Sequence, residues 1–251
     1  MSAPSRRSPA DEGELRVQVP PGWLQLTGSM SEEQATEAFV ATLQADYEDL
    51  DGKRTAQLTR EYHDARVLAR TAGFHISGVL PTLWKSKHPT VWFYGLRVLN
   101  GIGGARLNPA ALIERYLQVT VAGDGESPMD FYAVDGRVGA SLSTTLPRPA
   151  VPEVSQPQRN RRGTTVISDA LGAVVAALPL PGAPADVLLV FGAAPDVQQR
   201  SAMAIFASIL IHSAHLVGGE DTGQVASLRT VGMRLEDAFG PGRATAAERT
   251  G

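Results

Sequence analysis

The chain has 251 residues, 43% apolar and 20% charged, long enough to bury a sizeable core. A formal net charge of −3 argues against general nucleic-acid binding, which needs a basic surface to displace counterions. The sequence contains no cysteine, which excludes disulfides, thiolate metal sites and thiol catalysis.

Residues 1–14 are polar and proline-containing and read as a disordered tail. Arg6-Arg7 is followed by SPADEGELR rather than an apolar run, so no export signal is expected. LRVQV, 15–19, alternates as a strand; Pro20-Pro21-Gly22 breaks it, and Trp23 to Leu26 resumes an extended path. Ser31-Glu32-Glu33-Gln34 is a capping box, and Ala35, Phe39, Leu43 and Tyr47 define the apolar face of a first helix, ended by Asp51-Gly52. A second helix covers 54–72, with Leu58, Tyr62, Ala65 and Ala69 inward and Gly73 as its terminator.

Strands are expected at 74–84 and 90–99, the latter VWFYGLRVL being the most β-prone stretch. Gly101-Ile102-Gly103-Gly104 leads to Asn108-Pro109, a cap and first residue for a short helix, 109–118. Asp135-Gly136 joins strands at 129–135 and 138–145 as a tight hairpin. Residues 147–163 carry four prolines and form an exposed loop. Strands at 171–180 and 186–192 flank Pro181 to Pro184, and a long helix runs from a cap at Asp196 to Gly218-Gly219. Its run Ala202–Val217 is 16 residues long, short of the roughly 20 apolar residues of a membrane span.

Hairpins outnumber helical crossovers. The expected fold is therefore α+β: a largely antiparallel sheet with helices on one face, packed on an N-terminal helical hairpin and a long C-terminal helix. One domain, 15–218, is expected, with a flexible tail over 219–251.

Candidate chemistry is sparse. The 101–104 glycine loop lacks the P-loop Lys-Ser/Thr pair and the Rossmann spacing, so it reads as a plain loop. His212 and His215, at i, i+3 on the last helix, suit the negative end of its dipole; His63, His75 and His88 are not assembled with them into a metal set. Asp46, Glu48, Asp49 and Asp51 crowd a helix end as a solvated face. Gly139-Ala140-Ser141-Leu142-Ser143 has the wrong order for a nucleophile elbow. No catalytic residue, cofactor or metal is expected.

In the tail, 225–239 reads VASLRTVGMRLEDAF. Val225, Leu228, Leu235 and Phe239 fall near one helical face and would dock on a groove, in this chain or a partner. Arg159, Arg161 and Arg162 in the proline-rich loop read first as a solvated loop, and otherwise as a clamp for an acidic partner or phosphate.

Val19-Pro20-Pro21-Gly22-Trp23 resembles the PxGW opening of the PsbP-like superfamily, and 174–217 resembles its closing hairpin and strand-to-helix unit, as in small actinobacterial α/β proteins. The resemblance implies an antiparallel sheet flanked by N- and C-terminal helices, and an assembly or binding subunit rather than an enzyme. The helical hairpin 31–72 and the 218–251 tail depart from it.

The functional expectation is a non-enzymatic cytoplasmic accessory or assembly factor that binds another protein, with no nucleic acid or stable membrane insertion and with self-association open. The alternative is an enzyme or small-ligand binder with a site near 101–106, drawing on Arg106, His75 and Tyr94.

Overall fold

In a computed structural model, the structure describes residues 14–27, 30–83, 89–99, 106–118, 129–147, 170–181, 183–217 and 229–234. Strand β1 is Glu14–Val19 and β2 is Leu24–Gln25; helices α1, Glu32–Asp46, and α2, Gly52–Thr71, follow. Strands β3, Ile76–Thr82, and β4, Thr90–Leu99, precede α3, Pro109–Gln118. Strands β5 to β8 are Met129–Val134, Arg137–Pro147, Ala170–Leu180 and Ala183–Ala194. A short turn of 3-10 helix leads into α4, Arg200–Ser213; strands β9, His215–Val217, and β10, Arg229–Arg234, complete the order.

Seven strands form one antiparallel sheet in the order β2-β3-β4-β8-β7-β6-β5. Both sides of the proline-rich loop supply strands to it. The fold is α+β as expected, but helices cover both faces instead of one. The reason lies in β4, whose near-continuous burial gives it two apolar faces. Trp92, Tyr94, Leu96 and Val98 join the core under α4 and β1, while Val91 and Phe93 join that under α1, α2 and α3.

Local signals explain most boundaries. Ser31 accepts from the Gln34 amide and Gln34 accepts from the Ser31 amide, closing the capping box. Asp51 does not close the first helix; its carboxylate accepts from the Arg54 amide at 2.6 Å and caps α2. Asn108 accepts from the amides of Ala110 and Ala111 and caps α3. Gly22, at φ +78°, allows a tight turn in which the Trp23 amide donates to the Pro20 carbonyl at 3.2 Å. That turn lays the buried Trp23 indole over Gly78 and stacks it on Tyr94 at 6.3 Å.

The C-terminal helix is shorter than its apolar run. It ends at Ser213, and Ala214 turns extended so that β9 pairs with β1. On the other side of β1, β10 pairs over six residues, from Glu14 with Arg234 to Val19 with Arg229. The three strands form a second, smaller sheet, β10-β1-β9. Strand propensity and the free edges of β1 override the helical reading of both segments.

Candidate functional site

The face of β4 toward α4 carries polar atoms that the fold uses for itself. Trp92 Nε1 donates to Gln199 Oε1 at 2.8 Å, and Thr90 Oγ1 donates to the same oxygen at 3.1 Å. Tyr94 OH donates to the Met203 carbonyl at 3.2 Å, and burial raises its pKa well above the ordinary phenol. Tyr94 therefore does not converge with Arg106 near the glycine loop. It is buried beneath α4, whereas Arg106 is exposed.

His75 does lie at that end of the sheet. Its Nδ1 accepts from the Val98 amide at 3.2 Å, which leaves the ring proton of the neutral form on Nε2. Burial, and then the Arg97 charge, lowers its pKa. Arg97 donates to the Ala72 carbonyl and also acts on Tyr116 of α3, whose pKa burial raises. His75, Arg97 and Tyr116 thus share one electrostatic neighbourhood. Gly101, Gly103 and Gly104 lie outside the described residues.

Among the described residues the histidines do not assemble. His215 is in β9, not on the helix with His212. His212 Nδ1 lies 2.6 Å from the Ser208 carbonyl, and its ring sits 5.7 Å from that of Tyr132. His63 faces Glu32 at 3.6 Å, and His88 lies outside the described residues. Among the described residues no group of three or more His, Cys, Asp or Glu is placed to hold a metal ion. Asp46, Glu48, Asp49 and Asp51 are exposed. Ser141 and Ser143 lie within β6.

Val225, Leu228, Leu235 and Phe239 lie outside the described residues, as do Arg159, Arg161 and Arg162. Between the tail residues, 229–234 is a strand on β1 and not a helical turn.

Among the described residues, the most open apolar surface is one that sequence reading passed over, the β5-β6 hairpin. Asp135, φ 47°, and Gly136, φ 75°, make its two-residue turn. Helix α3 lies over β6 and β7, burying Ala140 completely. Beyond it, on the same face, Phe131 stays 68% exposed and Val138 60% exposed. Phe131 is paired with Ala140, and Ala133 with Val138, so the two large side chains are diagonal neighbours. The other face of β5 is anchored: Tyr132 lies across Gly139 and its hydroxyl donates to the Ala177 carbonyl at 3.2 Å. The alternation in MDFYAV was visible; that Phe131 and Val138 stay exposed was not.

No family model matches the chain, and no curated protein matches it. Among the described residues no helix is long and apolar enough to cross a membrane.

Proposed function

We propose that this chain is a non-enzymatic protein-binding accessory or assembly factor of a bacterial cytoplasmic system, and that it holds its client on the shelf formed by Phe131, Ala133 and Val138 beside α3. A place near the PsbP-like superfamily, on the turn Val19–Trp23, belongs to the same proposal.

The observation that carries it is the exposure of Phe131 and Val138 side by side on one sheet face. Large apolar side chains exposed as neighbours point to an interaction site, whereas scattered ones need no explanation. Met30, Val67, Leu83 and Ile205 are exposed on other elements and do not extend the shelf. The buried polar atoms of Trp92, Thr90 and Tyr94 serve the fold, which also favours a scaffold over a reactive cleft.

Capture by the wild-type chain and by Val138→Asp, in parallel, tests the reading. Val138 is on the outer hairpin and mostly exposed, so the new charge spoils the shelf without entering the core. Truncating the tail is a poorer test, because it removes β10 from β1.

A second reading, a small-ligand site, draws on the Arg97 charge, which acts on both His75 and Tyr116. A metabolite whose binding is lost in Arg97→Gln, with Val138→Asp indifferent in capture, would favour it.

A further inference from the structure

We propose that β5 pairs antiparallel, edge to edge, with β5 of a second copy of this chain, so that two shelves meet across a two-fold axis. The role given to the joined shelf rests on the function proposed above; the pairing stands on the strand itself.

Strand β5 ends the seven-stranded order, so one side of it has no strand partner among the described residues. The turn fixes which backbone groups point that way. A two-residue hairpin of this type is closed by a hydrogen-bonded pair, here Val134 with Arg137. Bonding alternates along the ladder, so Val134, Tyr132 and Asp130 bond inward to β6. Met129, Phe131 and Ala133 therefore direct their N–H and C=O groups at the free edge.

Among the described residues the strand is unguarded, and it is self-complementary. Natural edges are blunted with lysine, proline, bulges or a covering element. MDFYAV has neither lysine nor proline, and its register with β6 runs without a bulge. Only odd positions offer outward bonds, so an odd residue must face an odd residue. Placing Phe131 opposite Phe131 of the second copy satisfies every outward group of the strand. Met129 then faces Ala133 of the other copy, and the reverse.

Charge agrees with this register. Asp130, the strand's one charge, faces Tyr132 of the other copy and never a second Asp130. A two-fold axis normal to the sheet keeps each face on its own side. Both Phe131 rings and both Val138 side chains then lie in one apolar stripe between two α3 helices. A sheet of twice seven strands results, with the stripe still open to a client.

The whole 251-residue chain is the reagent. Sedimentation across a wide concentration range should show a monomer–dimer equilibrium. Ala133→Pro removes an outward N–H and puts a ring in the path of the second strand, without touching the β5-β6 ladder. It should sediment as a single chain at every concentration, while Val138→Asp stays dimeric. Because the chain has no cysteine, Phe131→Cys adds one thiol per copy. Facing residues of such a pair are about 5.5 Å apart at Cα, within disulfide reach. Oxidised glutathione should link Phe131→Cys chains into covalent dimers and leave Glu114→Cys, on the exposed side of α3, unlinked. This readout decides the matter should Ala133→Pro fail to fold. A wild-type monomer at all concentrations, a folded Ala133→Pro that still dimerises, or equal linking at both positions would overturn the pairing. A dimer that captures no client would sink the function and leave the pairing standing.

Discussion

Trp92 and Gln199 are 107 residues apart in sequence, yet the indole N–H of one donates to the side-chain oxygen of the other at 2.8 Å. Thr90 donates to the same oxygen. This shared acceptor ties the centre of the sheet to the entry of α4. Gln199→Leu keeps much of the bulk and removes it. Withdrawing a buried partner costs about 1–3 kcal/mol. Urea unfolding should show a lower midpoint with an unchanged slope, and an unchanged midpoint would assign Gln199 no anchoring role.

Two glycine substitutions should act in opposite directions. A Cβ on Gly78 would fall 2.1 Å from Trp23 Cε2, so Gly78→Ala must expel the indole. Overpacking of this kind costs about 1–3 kcal/mol or more. Gly52 opens α2 with nothing within 4 Å of its added Cβ. Gly52→Ala should stabilise by about 0.4–1 kcal/mol through the unfolded chain. Thermal melts of the two variants beside wild type check both signs.

His75 gives the fold a pH dependence. Its folded pKa lies below the ordinary 6.5 because burial and the Arg97 charge disfavour the imidazolium. As pH falls through the unfolded value, the unfolded chain takes the proton first and stability drops. The loss levels off once pH passes the lower folded value. Unfolding free energy should therefore be smaller at mildly acid pH than at pH ~8. His75→Asn should flatten that part of the profile, and an equal slope in the variant would remove His75 as the cause.

Deleting residues 219–251 removes β10, which pairs with all of β1. Several backbone hydrogen bonds, each worth about 0.5–1.5 kcal/mol net, go with it. The truncated chain should melt several degrees lower, at about 2–4 °C per kcal/mol for a domain of this size. A truncated chain that melts like wild type would mean that β10 adds nothing to the stability of β1.

Much of the architecture was legible because its signals are local. The capping box at Ser31, Asn108-Pro109, Asp135-Gly136 and the run VWFYGLRVL each act within a few residues of themselves. What was not legible depended on distant partners. His215–Val217 and Arg229–Arg234 have helix-compatible sequences but are extended against β1, some 200 residues away. The second layer of helices followed from burial of both faces of β4, which a continuous apolar run implies but does not orient. The shelf was hidden for the same reason. Phe131 and Val138 look like ordinary strand residues, and only the position of α3 over β6 and β7 leaves them open.

The most direct measurement is affinity capture from the cells that make the protein, with tagged wild-type and Val138→Asp chains side by side, read by mass spectrometry and stoichiometry. A protein other than the chain itself, held at a fixed ratio by wild type and lost by a folded Val138→Asp, is the predicted result. Equal capture by both chains, or none by either, would contradict the assignment of the shelf as the client surface.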